Sequence, residues 1–448
     1  MDTIAAVATA PGRGGIGIVR LSGPEALRIG EALAGRTLRA RHAHHAVFRD
    51  RNGLALDDGI AIAFRGPASF TGEDVVELQG HGGPAVLDAV LRACLDLGAR
   101  VARPGEFSER AFLNDRLDLA QAEAIADLID AASREAATAA LKSLQGVFSE
   151  RVRALMDATT ALRVYVEAAI DFPDEEVDFL ADGDVEGRIE ALCADLAALR
   201  EEARRGALLT DGMTIVLAGA PNAGKSSLLN ALARRDTAIV TDVPGTTRDV
   251  LRERIDLDGM PLHVVDTAGL RLTQDRVEAE GVRRARAEIE RADALLYVID
   301  ATTADALPAD RAALAALAEV ELPRHVLLLL NKVDLREERG ALSSTVPIVE
   351  TSARTGEGLR DLIRALEQMA GFDAGEASAF TARARHLEAL ADADAAFAAG
   401  LETLVATGAG DLVAEDLRRG HDALGLIVGA MTPDDLLGEI FSSFCIGK

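Results

Sequence analysis

The run Gly219-Ala220-Pro221-Asn222-Ala223-Gly224-Lys225-Ser226 constrains this chain more than any other feature. It fits G-x-x-x-x-G-K-[ST], follows the apolar, strand-like residues 214–218 and opens the helical run 227–233. A phosphate loop of this kind needs a parallel strand before it and a helix after it. The glycines let backbone amides approach phosphate oxygens, Lys225 reaches the β- and γ-phosphates, and Ser226 is placed to bind Mg²⁺. Residues 212–370 fit this requirement, because apolar runs at 214–218, 262–265, 295–299, 326–330 and 348–351 alternate with helical segments. Such alternation predicts a parallel sheet covered on both faces.

Three further motifs follow in order, each at the C-terminal end of a predicted strand, where open α/β sheets bind ligands. In Asp266-Thr267-Ala268-Gly269, the aspartate can hold Mg²⁺ through water and the Gly269 amide can sense the γ-phosphate. In Asn331-Lys332-Val333-Asp334, Asp334 can accept two hydrogen bonds, from guanine N1 and its exocyclic amine. Adenine presents the wrong donor pattern there and would leave polar groups unpaired. In Ser352-Ala353-Arg354, a backbone amide can meet guanine O6. With Asn222, Ala223, Gly224, Lys225, Ser226 and Ser227 of the loop, the set predicts a GTP/GDP site.

Between the first two motifs lies Thr241-Asp242-Val243-Pro244-Gly245-Thr246-Thr247-Arg248-Asp249. Thr247 reads as the switch threonine that meets Mg²⁺ and the γ-phosphate, with Thr246 as the neighbouring alternative. Leu270 follows the second motif, where Ras-like proteins carry the glutamine that orients the attacking water. Hydrolysis is therefore expected to be slow or to use another group. Asn222 offers an amide oxygen to a monovalent cation, which can supply charge where an arginine finger otherwise sits.

Composition bounds the rest. At about 150 residues per domain, 448 residues suggest two to three domains. The 73 acids against 48 bases give a net charge of −25, which repels phosphate and argues against a non-specific nucleic-acid binder. With no Trp and 3% aromatics, a broad base-stacking platform is not expected either. Cys94, Cys193 and Cys445 show neither metal spacing nor a disulfide framework, which fits a reducing cytosol. The first 20 residues lack a signal-peptide pattern, and the apolar run 325–330 is far too short to span a bilayer. The reading is cytoplasmic, with no membrane partner. Lys142, Lys225, Lys332 and Lys448 are the only lysines, and two of the four fall inside the nucleotide motifs.

Outside 212–370 the texture differs. Strand-like runs at 4–9, 17–21, 59–64 and 74–78, with a helix at 84–97, predict an α+β domain over 1–116. Helical spacing dominates 117–211 and returns over 371–448, notably at 382–401 and 412–428. The pattern predicts an α/β domain inserted into a helical domain whose two halves pack together. Gly12-Arg13-Gly14-Gly15-Ile16-Gly17 is formally G-x-G-x-x-G, but it leads into a strand-like run, which argues against a dinucleotide site. His42, His44 and His45 read as a solvated loop. Asp171, Asp174, Glu175, Glu176 and Asp178 read as an acidic interhelical loop.

The motifs Pro11-Gly12-Arg13-Gly14-Gly15, Phe70-Thr71-Gly72-Glu73-Asp74, Gly80-His81-Gly82-Gly83-Pro84, Arg103-Pro104-Gly105-Glu106-Phe107-Ser108, Asp171-Phe172-Pro173-Asp174-Glu175-Glu176 and Gly245-Thr246-Thr247-Arg248-Asp249, with the ending 441–448, resemble the MnmE (TrmE) tRNA-modification GTPase family. The resemblance covers nearly the whole chain. It implies a multidomain fold: an N-terminal α+β tetrahydrofolate-binding and dimerisation domain, an α-helical domain in two parts, and an inserted α/β P-loop (Ras-like) G domain. It implies a homodimer that joins the FAD-dependent protein MnmG in a heterotetramer. That complex would modify C5 of the wobble uridine in certain tRNAs, with one-carbon tetrahydrofolate supplying a methylene carbon. Contact with tRNA would come mainly through the partner. Folate contacts would fall on Arg20, Glu77, Arg116 and Lys448; position 116 is usually Lys in the family, so its donor geometry differs here. K⁺ ligands would be Asn222, Thr241, Val243 (through its carbonyl) and Thr246, and Mg²⁺ ligands Ser226 and Thr247. Glu278 matches the family's water-activating glutamate, Arg271 lies beside the same switch, and Cys445 matches a terminal cysteine read here as structural or folate-adjacent rather than catalytic. A different class, a regulatory GTP-binding switch in ribosome or RNA assembly, fits the nucleotide motifs alone. The first 116 residues with the terminal segment 441–448 are the feature that discriminates: folate binding there would favour modification, and ribosome association without folate binding would favour assembly.

Overall fold

The computed structural model of the chain describes residues 2–131, 133–171, 184–233, 252–257, 260–266, 288–303, 312, 314–315, 322–336, 344–370, 380–430, 434–442, 444 and 447. Two compact units result. One comprises Met1–Ala126, Leu144–Leu192 and Asp392–Lys448, the other Asp127–Ser143 and Cys193–Ala391.

The first unit begins with β1 (Ile4–Val7), β2 (Gly14–Ser22), α1 (Ala26–Ala34), β3 (His44–Arg49), β4 (Ala55–Phe64), β5 (Val75–Gly82), α2 (Pro84–Asp96), β6 (Arg100–Val101) and α3 (Glu106–Leu113). The sheet order is β3-β4-β5-β2-β1-β6, antiparallel throughout except for the parallel β1–β6 pair. Alternation decides its faces. Val19, Leu21, Val76 and Leu78 point to one side and meet Leu27 and Leu33 of α1 and Leu87, Val90 and Cys94 of α2. Each large side chain so buried contributes about 1.5–3 kcal/mol. Pro84 starts α2 without loss, since its missing N–H would have no intrahelical partner.

A buried ion network ties α3 to the sheet. Arg110, 5% exposed, donates to Asp2, Glu73 and Glu106, while Arg100 donates to Asp2 and Glu106. Burial alone would raise the Glu106 carboxyl. The hydrogen bond from Arg100, the Arg103 backbone N–H and Arg110 outweigh it and hold the group at about 2.

Helices α4 (Leu119–Asp130), α5 (Arg134–Leu144), α6 (Val147–Asp171) and α7 (Val185–Asp211) follow. Asp118 and Gln121 exchange hydrogen bonds of 2.9 and 3.0 Å between side chain and backbone, a capping box that starts α4. The second unit's sheet contains β7 (Met213–Gly219), β8 (Arg252–Leu257), β9 (Met260–Asp266), β10 (Ala294–Asp300), β11 (His325–Asn331) and β12 (Ile348–Thr351), with α8 (Lys225–Ala233) after β7 and α9 (Leu359–Ala370) after β12. The order is β12-β11-β10-β7-β9-β8. Every pair is parallel except β8–β9. Ile215, Leu217, Leu296 and Leu329 fill one face with Leu228 and Leu362, while Val216, Leu295 and Leu328 fill the other with Ile289 and Leu314. Burial on both sides explains the continuous apolar runs.

The chain ends in α10 (Ala384–Thr407), α11 (Gly410–Val428) and α12 (Asp434–Ser442). Helix α6, before the nucleotide motifs, packs along α11, after them, so the two helical halves do meet. No described helix is long and apolar enough to cross a membrane.

The structure adds strands that the sequence reading lacked. His44 and His45 lie in β3 rather than a loop: His44 Nε2 accepts the Arg39 N–H at 2.9 Å and His45 pairs with Asp58 at 2.8 Å. Among the described residues no His, Cys, Asp and Glu side chains group as a metal site. The acidic run 174–178 lies outside the described residues.

Candidate nucleotide-binding site

The phosphate loop is shaped by residues that tolerate positive φ. Gly219 (φ 134°) closes β7, and a Cβ there would overlap the Val298 carbonyl of β10. Gly224 (φ 97°) precedes α8, and a Cβ there would overlap the Asn331 amide. Asn222 (φ 64°) sits between them, exposed. Lys225 is 8% exposed and its Nζ donates to the carbonyls of Gly219 and Ala220 at 2.8 and 3.0 Å, so the ammonium lies over the loop itself. Ser226 and Ser227 are exposed on the first turn of α8, where the helix dipole favours an anion.

The residues expected to read guanine are tied to that loop. Asn331, 1% exposed, donates from Nδ2 to the Ala223 carbonyl (2.9 Å) and accepts the Ala353 N–H on Oδ1 (3.1 Å). One side chain thus joins the first, third and fourth motifs. Lys332 (φ 68°) turns its Nζ to the Asn222 carbonyl (2.7 Å) and Asp300 Oδ2 (2.6 Å). Ser352 Oγ donates to Asp334 Oδ1 at 2.7 Å, which leaves the second carboxylate oxygen for a base. Arg354, next in the loop, is exposed.

Asp300 belongs to this site although no motif named it. It ends β10 opposite Asn331, accepts from Lys332 and from Thr302 N and Oγ1, and orients the lysine. Burial raises its carboxyl, but the Lys332 and Thr302 hydrogen bonds more than offset this and hold it below the usual range. Its position at a strand's C-terminal end was the only available signal.

Asp266 ends β9 and stands opposite Leu217 of β7. Thr241, Val243, Thr246, Thr247, Thr267, Ala268, Gly269, Arg271 and Glu278 lie outside the described residues, as do Cys445 and Lys448.

The folate expectations fall in the other unit. Arg20 and Glu77 stand directly opposite on β2 and β5. Arg20 Nε and Nη2 both donate to Glu77 Oε1, at 3.1 and 2.9 Å. The guanidinium also lies 5.5 Å from the Phe70 ring centre and 5.8 Å from that of Phe107. Arg116 makes no hydrogen bond to this pair among the described residues. The turn 70–72 connects them, because Asn114 donates to the Thr71 carbonyl and a Cβ on Gly72 would stand 3.3 Å from Arg116 Cγ. Gly447 (φ 98°) packs its backbone against Val7, the last residue of β1, and Ala8.

The donor sets fit the expected groups. An exposed hydroxyl on the first turn after a phosphate loop suits Mg²⁺, and an exposed amide within the loop suits K⁺. A carboxylate held by arginine beside two aromatic rings suits a polar heterocycle.

A parallel sheet whose strand ends carry a phosphate loop, a braced Asn-Lys-x-Asp and a Ser-Ala-Arg turn is that of a P-loop GTPase. Its particular branch emerges from comparison with known proteins. The MnmE helical domain matches residues 119–445, and the N-terminus of the GTP-binding protein TrmE matches residues 3–116. The tRNA modification GTPase MnmE of Pseudomonas aeruginosa (strain UCBPP-PA14) is 59% identical over 450 residues, spanning 100% of this chain and 99% of its own length. That of Pseudomonas putida is 58% identical over 453 residues, with the same coverage. Among solved structures, the G domain of the T. maritima FeoB iron transporter is 26% identical, covering 35% of this chain and 98% of its own, at a TM-score of 0.26. This chain belongs to the MnmE family.

Proposed function

We propose that this chain is a K⁺-stimulated GTPase that works as a cytoplasmic homodimer with FAD-dependent MnmG. Together they would install a carboxymethylaminomethyl-type group at C5 of the wobble uridine in certain tRNAs. The observation that carries the GTPase part is the double use of Asn331, which holds the phosphate loop and the guanine-reading turn in one rigid frame. Family membership carries the tRNA part.

In this reading residues 1–116 bind one-carbon tetrahydrofolate and dimerise, 117–211 and 371–448 form the helical domain, and 212–370 form the G domain. Lys225 stabilises charge on the β/γ-phosphate bridge, Ser226 and Thr247 hold Mg²⁺, and Asp334 selects guanine. Asn222, Thr241, Val243 and Thr246 hold K⁺ at the phosphates. Glu278 orients the attacking water through a second water, in place of the absent glutamine. Arg20, Glu77, Arg116 and Lys448 contact the folate. Most tRNA contact comes from the partner, consistent with a net charge of −25.

The test is the wobble-nucleoside profile of cells lacking this gene. The modified uridine should disappear and return with the wild-type gene, but not with Lys225→Ala. An unchanged profile alongside a ribosome-assembly defect would overturn the modification reading in favour of a regulatory switch.

A further inference from the structure

In a chain whose net charge is −25, the N-terminal sheet ends on a basic edge. The outermost strand is β3, paired with β4. Its burial alternates: His44, Ala46 and Phe48 are buried, the last two in the core beneath α1, while His45 and Arg49 are exposed. Residues 36–51, which comprise β3 and its flanking segments, hold five arginines and a single acid, Asp50. Arg36, Arg39, Arg41, Arg49 and Arg51 are all exposed. Among the described residues none of the five pairs with a carboxylate. The hydrogen bonds they do make go to backbone carbonyls: Arg36 to His45 at 3.5 Å, Arg41 to Ala68 at 2.6 Å and Arg49 to Gly53 at 3.0 Å.

The neighbouring acids are spent elsewhere. Asp50 Oδ1 accepts the Asn52 and Leu54 N–H groups at 2.9 and 2.8 Å, closing the turn between β3 and β4. Glu31 Oε1 accepts the Leu38 N–H at 2.9 Å, Asp58 pairs with His45 and Asp57 with His81. Other arginines of this domain are matched: Arg20 with Glu77, Arg92 with Asp88 and Arg103 with Glu109. Burial, and then the charges of Arg36, His42 and Arg39, hold the His44 imidazole below its ordinary value, which reports the positive field at this end of β3. Protection of an open sheet edge accounts for Arg49 inside the strand, but not for the four arginines outside it. A second copy docked here about a two-fold axis would set like charges against each other. Within 36–59 only Leu54 exposes a large apolar side chain, too little to seat in a bilayer.

What suits such a ridge is an extended polyanion. The six residues of β3 separate Arg39 and Arg41 at one end from Arg49 and Arg51 at the other by about 17–20 Å, far enough to touch separate phosphates. We propose that the β3 edge is a contact surface for the sugar-phosphate backbone of tRNA, with these four arginines neutralising phosphates and reading no base. The inference rests on the tRNA reading above and adds to it the chain's own share of the contact. Guanidinium groups match phosphate oxygens through paired N–H donors, and their charge releases counterions from the RNA. The net charge of −25 keeps the contact weak and local.

The experiment titrates a labelled tRNA transcript with the full-length protein at salt concentrations from about 50 to 200 mM. The variant joins Arg39→Glu and Arg51→Glu, whose side chains make no hydrogen bond among the described residues, so GTP hydrolysis should stay at the wild-type rate. A control with the same change of net charge joins Arg92→Glu and Arg364→Glu, both on exposed helix faces. The Arg39/Arg51 variant should bind about tenfold or more weakly at low salt, and its dependence of log affinity on log salt should be shallower by about one to two. The control should lose less than about threefold. Equal losses in the two variants would make the effect one of net charge and overturn the surface, as would wild-type binding by the Arg39/Arg51 variant or no binding of tRNA by the wild type. Binding to phosphatidylglycerol vesicles that needs Arg39 and Arg51, without binding of tRNA, would overturn it in favour of a membrane. None of these results touches the modification reading, which the wobble-nucleoside profile decides separately.

Discussion

Asn331 uses both ends of its buried amide, one on the Ala223 carbonyl and one on the Ala353 N–H. Removing it would leave buried backbone groups unpaired, at about 1–3 kcal/mol each, and would loosen both loops together. Asn331→Ala should therefore lower GTP affinity by at least about tenfold while the far-UV circular dichroism stays the same; calorimetric titration reads this directly, and unchanged affinity would contradict it. Asp300→Asn should act more weakly, through Lys332, reducing affinity by about two- to tenfold. At this scale the motif residues were legible because phosphate and guanine chemistry fix their type and spacing. Asp300 was not, because it reaches the site only through strand register: it falls opposite Asn331 after 30 intervening residues of sequence that carry no such sign.

Strands β7, β10 and β11 could be read from sequence because a parallel strand buried on both faces is a continuous apolar run. Strand β8, Arg-Glu-Arg-Ile-Asp-Leu, escaped because it is an antiparallel edge strand rich in charge. Strand β3 escaped because His44 and His45 look like loop residues until Asp58 and the Arg39 amide partner them. Helix α3 is held by charge as well as by apolar burial, and its stability should follow pH accordingly. The folded Glu106 carboxyl sits at about 2 against an ordinary 4.5. A depressed carboxyl stabilises the fold above its unfolded value, and the contribution is lost as pH falls from about 4.5 towards 2. Glu106→Gln should lower the thermal midpoint at pH 7, because it leaves Arg100 and Arg110 partly unpaired in a buried site. The gap between variant and wild type should narrow between pH 5 and pH 3; a gap that does not change with pH would show that the network contributes no linkage.

At the scale of the whole molecule, the packing of α6 on α11 brings together segments separated in sequence by all the nucleotide motifs. The alternating texture made that insertion legible, but the geometry of the first 116 residues could not be read, since it depends on sheet register. The proposed cation role makes a prediction here. Replacing Na⁺ by K⁺ should raise GTP turnover about tenfold or more and make it depend on protein concentration, as expected when two G domains complete each other's site. Equal turnover in both salts would remove Asn222 from the cation site.

Guanine selectivity underlies everything else, and it is tested by titrating the full-length protein and its Asp334→Asn variant with GTP, XTP and ATP. In the proposed site Asp334 would accept two donors from guanine, whereas Asn would offer a donor to the extra oxygen of xanthine. Wild type should bind GTP at least about a hundredfold more tightly than ATP or XTP, and Asp334→Asn should prefer XTP. Equal affinity of the wild-type chain for ATP and GTP would contradict the account.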